Sequence, residues 1–197
     1  MPEGFILTGG KSLRMGRDKA LLEFNGKSFL EIAARNLVHV CGKISVVLSA
    51  DSTLETDLPI IRDEFAGRGA LGGLHAALKN CRSKIALVLA VDLPLVTPDS
   101  VRVLADLATS LPKYLAVVPR QSDGRPQPLF AAYRAKFCVR SLEELINEDP
   151  QASVKDFLDR ISPKYIDPVR LSSDPDLLVN VNTSENLDAL SNIRATS

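Results

Sequence analysis

LTGGKSLRMGRDK, Leu7 to Lys19, follows the apolar run GFIL and holds three glycines and four cations in thirteen residues. It contains GGKS, which looks like the end of a phosphate loop. The spacing excludes that loop, which needs Gly, four residues, then Gly-Lys-Ser/Thr. Counting back from Gly10-Lys11-Ser12 puts Phe5 where the first glycine belongs. The dinucleotide pattern Gly-x-Gly-x-x-Gly fails too, because Gly9 and Gly10 are adjacent. What remains is a glycine-rich cationic turn directly after a short apolar strand.

That turn opens a regular alternation. Gly4 to Leu7 reads as the first strand. Ser28 to Val40 reads as a helix, with Ser28 and Glu31 as a capping box and Phe29, Ile32, Ala33, Leu37 and Val40 on one stripe. Strands follow at Ile44 to Leu48 and Pro59 to Ile61, then a helix over Gly72 to Cys81 and a fully apolar strand over Lys84 to Val91. Thr97-Pro98-Asp99 opens a helix to about Ser110, with proline in its first turn. Leu115 to Val118 is a strand, and QSDGRPQPLFAAY reads as a hairpin turning at Asp123-Gly124. Helices near Ala135 to Asn147 and Ala152 to Arg160, a strand near Lys164 to Leu171 and a last helix over Ser184 to Arg194 complete the reading.

Strands alternating with helices predict a three-layer α/β/α fold around a mostly parallel sheet, with a small antiparallel hairpin. The 197 residues suit one domain, 1–197. The formal net charge is zero, so the chain has no global field for nucleic acid or an anionic membrane. Any attraction for anions must be local. The three cysteines form no metal-binding spacing and suggest reduced, buried thiols. With no membrane-length apolar segment and no leader-like N-terminus, the chain reads as cytoplasmic.

In open parallel sheets, ligands sit beyond the carboxyl ends of the strands. The turn after the first strand is therefore a binding candidate. Gly9 and Gly10 let the backbone come close to a ligand, and Arg14 and Lys19 add positive charge, which suits a triphosphate. Asp92 ends the run IALVLAV and could hold Mg²⁺ beside substrate phosphates, or cap the turn before Pro94. Asp63 also ends a strand. Asn180 and Asn182 alternate in VNVNT and share a face if that stretch is extended, although Asn182 with Glu185 also reads as a helix cap. His39 and His75 belong to no triad and read as surface or core histidines.

LTGGKSLRMGRDKALLEFNGKS, IIRDEFAGRGALGGLHAAL, VDLPLV, GRPQPLFAAY and NVNT together resemble the molybdenum cofactor guanylyltransferases, a branch of the Rossmann-like nucleotidyltransferases. The resemblance implies transfer of GMP from GTP to molybdopterin with release of pyrophosphate, using Mg²⁺. It implies GTP contacts from Leu7, Thr8, Gly9, Gly10, Lys19, Asp63 and Asp92, with Arg14 and Lys19 on the phosphates, Asp92 on the metal, and Asn180 and Asn182 on the molybdopterin side. Arg14, Lys19 and Asp92 are the expected catalytic set. Molybdenum-insertion proteins and molybdoenzyme apoproteins are candidate partners. Members often carry an asparagine after the second strand, where this chain has Ser49. The alternative within the same fold is a cytidylyltransferase using CTP.

Overall fold

The computed structural model describes residues 1–9, 19–65 and 67–181. Its strands are β1 (Glu3–Leu7), β2 (Glu23–Phe24), β3 (Lys27–Ser28), β4 (Lys43–Leu48), β5 (Ile60–Arg62), β6 (Ala86–Ala90), β7 (Ala116–Pro119), β8 (Phe130–Tyr133) and β9 (Lys164–Ile166). Its α-helices are α1 (Phe29–Val38), α2 (Gly69–Asn80), α3 (Pro98–Ser110), α4 (Ala135–Glu148) and α5 (Val154–Ile161).

Seven strands form one sheet in the order β5-β4-β1-β6-β8-β7-β9. β1 pairs in parallel with β4 and β6, β4 with β5, and β7 with β9. β8 runs against both its neighbours, β6 and β7. This is the expected mostly parallel sheet with an antiparallel hairpin. Alternation along each strand builds two cores. Ile6, Leu87 and Leu89 face α1 and α3, while Phe5, Leu7 and Val88 face α2, α4 and α5. Both faces are covered, which is why the central strands read as unbroken apolar runs.

Local signals start the helices. Ser28 caps α1 through Glu31 N–H (3.2 Å), and Glu31 returns the bond to Ser28 N–H (2.7 Å), as the spacing predicted. Thr97 and Ser100 make the same exchange at α3, with Pro98 in its first turn. Each such cap is worth about 1 kcal/mol. The turn at Asp123-Gly124 also forms: Gly124 has φ 85°, Asp123 Oδ1 accepts from Arg125 N–H (2.9 Å), and Arg120 bridges Pro126.

Three features differ from the expectations. α2 starts three residues earlier than predicted, because Gly69-Ala70-Leu71 continues the helix instead of serving as loop. The strand expected to run to Leu171 stops at Ile166. Pro168 has no N–H for a ladder, and Asp167 turns the chain by accepting from Val169 N–H (3.0 Å). A small hairpin, β2–β3, was not anticipated; its turn is Asn25-Gly26, both at positive φ. The predicted last helix, Ser184 to Arg194, lies outside the described residues.

Candidate active site

A cavity of about 560 Å³ lies over the carboxyl ends of β6, β1, β4 and β5. That volume is within the usual range for small-molecule sites. These strands are consecutive neighbours, so the cavity spans roughly 14 Å from the end of β6 to the end of β5 at normal strand spacing. Each strand delivers a different kind of group.

β1 ends in Leu7, Thr8 and Gly9, all on the wall. Thr8 is buried, and its hydroxyl and N–H both point at Val47 carbonyl (3.2 and 3.4 Å). The threonine side chain is therefore used to hold the turn against β4. Gly9 has φ 81°, a conformation that glycine adopts without strain, and an added Cβ would meet nothing within 4 Å.

β6 delivers Asp92. Its Oδ2 lies 3.7 Å from Lys19 Nζ, so the two predicted charges meet. Burial pushes the Asp92 carboxyl up from its ordinary range; the Lys19 charge and a hydrogen bond from the Asn180 side chain pull it back. Even so, Asp92 Oδ1 is buried with no hydrogen-bond partner among the described residues. An acceptor left unmet in that way is costly unless a cation or donor fills it. No cluster of three or more His, Cys, Asp or Glu stands among the described residues. A single carboxylate beside a phosphate site fits Mg²⁺, which keeps waters and substrate oxygens in its shell.

β4 delivers the loop from Ser49 to Ser52. Arg62 Nη1 donates to the carbonyls of Ser49 (3.1 Å) and Ser52 (2.7 Å), and Ser49 Oγ donates to Asp51 Oδ1 (2.9 Å). Ser49 does line the cavity, with its hydroxyl proton directed at Asp51.

β5 delivers Asp63, 9% exposed. Burial raises its carboxyl, and Phe65 N–H (2.8 Å from Oδ1) lowers it part of the way. Gly72 of α2 lies flat against this carboxylate: a Cβ there would come 2.7 Å from Oδ1 and 2.8 Å from Cγ. The first turn of α2, with Gly69, Ala70 and Gly73, completes the wall. Among the described residues no side chain caps that helix end, whose partial positive charge therefore lies beside the cavity.

Leu7, Thr8, Gly9, Lys19, Asp63 and Asp92 are thus brought to one cavity. Asn180 lies just beside it, against Asp92 and Gln127. Gly10, Arg14 and Asn182 lie outside the described residues. His39 is exposed, while His75 is buried between Phe65 and Glu143, its Nε2 3.2 Å from Glu143 Oε1. Cys41 and Cys138 are buried, Cys81 is half-buried, and all three are free. Among the described residues, no helix is long and apolar enough to cross a membrane. Gln127, Arg62 and Gly72 were missed from sequence. Only the repeated glycines of GALGG hinted at Gly72.

The sequence pattern of the MobA-like NTP transferase domain matches residues 4–164. The chain belongs to that family. It is 34% identical over 188 residues to a probable molybdenum cofactor guanylyltransferase of Pelotomaculum thermopropionicum, covering 93% of this chain and 89% of that protein. A protein of the same description from Methanothermobacter thermautotrophicus is 33% identical over 190 residues, covering 92% of this chain and 95% of its own. Among solved structures, molybdopterin-guanine dinucleotide biosynthesis protein A from Archaeoglobus fulgidus superposes with a TM-score of 0.80 at 23% identity, covering 99% of this chain and all of that one. At that identity the likeness speaks for the fold, and it agrees with the strand order above.

Proposed function

We propose that this chain transfers GMP from GTP to molybdopterin, forming the guanine dinucleotide cofactor and pyrophosphate. The observation that carries the reading is the meeting of Lys19, Asp92 and the Leu7–Gly9 turn at one end of a cavity whose other end holds Asp63. Charge suited to phosphates lies at the β6 end, and an acceptor suited to nucleoside hydroxyl or N–H groups lies at the β5 end. The guanylyltransferase descriptions of the relatives support guanine and molybdopterin as the partners, and CTP is the less favoured nucleotide.

The attacking group is the terminal phosphate oxygen of molybdopterin. It forms a bond to the α-phosphorus of GTP while the α–β bridging bond breaks, and the electron pair leaves with pyrophosphate. The attacker is already anionic, so no general base is needed. This agrees with a site that holds no His–carboxylate or Ser–His pair among the described residues. Catalysis then rests on positioning and charge. Lys19 meets phosphate oxygens and stabilises charge as it moves to the leaving group. Leu7, Thr8 and Gly9 offer backbone groups to the nucleoside, and Asp63 accepts hydrogen bonds from it. Asp92 would hold a divalent cation, Mg²⁺, which when bound would supply Lewis-acid neutralisation of phosphate charge. Gly10 and Arg14 extend the phosphate contacts, and Asn180 and Asn182 lie toward the molybdopterin side. The reaction belongs in the cytoplasm, where molybdenum-insertion proteins and molybdoenzyme apoproteins would supply the acceptor and take the product.

The test is incubation with Mg²⁺ and molybdopterin, offering GTP, CTP, ATP and UTP separately. Pyrophosphate release and the mass of the dinucleotide are read together. GTP should give the product at the highest rate. Preference for CTP would overturn the guanine assignment, and no product with any nucleotide would overturn the transferase reading.

A further inference from the structure

Gln127 is 4% exposed, and an amide buried that deeply must place all its polar atoms. It does so in one direction. Leu129 N–H points at Gln127 Oε1 (3.4 Å), which leaves the Gln127 NH₂ facing outward. Gln127 Nε2 donates to Asn180 Oδ1 (3.0 Å), and the Asn180 side chain in turn pulls the Asp92 carboxyl down, which its NH₂ and not its oxygen can do. The two ends of this chain of bonds have fixed sign: a backbone N–H can only donate, and a carboxylate can only accept. Both amides between them are therefore held in one orientation.

The backbone braces the same unit. Leu129 carbonyl accepts from Ala90 N–H (2.7 Å) at the end of β6, and Asp92 carbonyl accepts from Val181 N–H (2.8 Å). Gln127 N–H donates to Pro119 carbonyl (2.8 Å), which ties its loop to the end of β7. Residues far apart in the chain thus converge on one carboxylate.

We propose that Gln127 is a positioning residue: acting through Asn180, it holds the Asp92 carboxyl in one orientation at the edge of the cavity, ready for a cation. The proposal rests on the metal role given to Asp92 above. Groups that orient a metal ligand from behind commonly matter by about 10- to 100-fold in metal affinity or activity.

Gln127→Glu tests the polarity directly. A carboxylate at 127 keeps the Leu129 bond but offers Asn180 only acceptors. Asn180 must then turn its NH₂ toward residue 127 and its oxygen toward Asp92, where two oxygens repel. Gln127→Met removes the donor without adding charge, and it carries the test if the glutamate variant does not fold. The readout is the affinity of a non-hydrolysable GTP analogue with and without Mn²⁺; the ratio is the metal's contribution and requires no turnover. Both Gln127 variants should lose about 10- to 100-fold of that contribution. Their metal-free analogue affinity should stay near wild type, whatever either substitution costs in melting temperature. In an Asn180→Ala background, Gln127→Glu should cause no further loss, because the intermediary is gone.

A wild-type metal contribution in both Gln127 variants would overturn the proposal. So would a loss that adds in full on top of Asn180→Ala, since Gln127 would then act by another route. The outcome separates from that of the parent reading. If the wild type binds the analogue with metal but makes no dinucleotide, while the Gln127 variants lose the metal contribution, the transferase assignment falls and this relay stands. If it makes dinucleotide while both variants keep the metal contribution, the relay alone falls.

Discussion

Asp92 and Asp63 are both carboxylates at strand ends, both line one cavity, and both are pushed up by burial, yet their surroundings differ. Asp92 has a cation 3.7 Å away, an amide behind it and one oxygen without a hydrogen-bond partner among the described residues. Asp63 accepts from a backbone N–H and lies against the bare Cα of Gly72. The first environment is prepared for positive charge between carboxylate and phosphate. The second is an acid whose described partner is a backbone N–H and not an ion pair, suited to taking hydrogen bonds from a neutral partner. Burial alone does not assign a role to an acid; the atoms that remain unpaired do.

The largest test of this contrast is Asp92→Asn. The fold should persist and kcat fall by about 10²- to 10³-fold, the scale of losing one preorganised charge contact. Turnover near wild type at saturating Mg²⁺ would erase the distinction between the acids. Next comes Lys19→Ala, which should lower kcat/KM for GTP by about 10²-fold, well beyond Lys11→Ala measured alongside. Equal losses would mean that the ion pair with Asp92 is not what singles out Lys19.

Gly72→Ala acts on the other acid. Its methyl cannot coexist with the Asp63 carboxylate where it now lies, so the carboxylate must move. Analogue affinity should fall about tenfold, a difference of about 1.4 kcal/mol, while the Mn²⁺ contribution stays intact. An accompanying Asp63→Ala should abolish any fall in melting temperature caused by Gly72→Ala. Without that relief, the helix and not the acid is the site of the damage.

The smallest effect is a pH signature of Asp63. Burial raises its carboxyl above the ordinary 3.8, with Phe65 N–H and the neighbouring His75 opposing and Glu64 reinforcing the rise. The stability linked to a raised carboxyl is fully present below the unfolded-state value and is lost as pH rises through the folded-state value. Ionised Asp63 therefore costs the ligand-free protein stability at neutral pH. Asp63→Asn keeps an oxygen for Phe65 N–H and carries no charge. Its melting temperature should exceed wild type by a few degrees at pH 7, and the gap should close toward pH 4, while nucleotide binding weakens. A gap that ignores pH would show that charge burial is not its source.

Much of this could be read in the sequence because it was local. The Ser28–Glu31 box, Pro98 at the head of α3 and the Asp123-Gly124 turn each need only a few adjacent residues. The strand-end rule pointed to Gly9, Lys19, Asp63 and Asp92, the family resemblance added Leu7 and Thr8, and all six line one cavity. The Asn25-Gly26 hairpin was equally local and was passed over. Gln127 was beyond reach for a different reason. Its partner Asn180 is in a distant segment, and no periodicity marks a glutamine in a proline-flanked loop as buried. Gly72 looked like helix filler, because the carboxylate it accommodates belongs to another element.

β1 is made before both of its sheet neighbours, yet it lies between them in the interior of the sheet. Its two neighbours begin only at Lys43 and Ala86, so one edge of Phe5-Ile6-Leu7 stays unpaired until β4 has left the ribosome and the other until β6 has. Pairings of such long reach make folding slow, and an apolar strand with open edges can pair with another copy meanwhile. A nascent chain halted before Ala86 should therefore be a client for chaperones that bind short apolar segments. Release should come with completion of β6, well before the C-terminal helices are made.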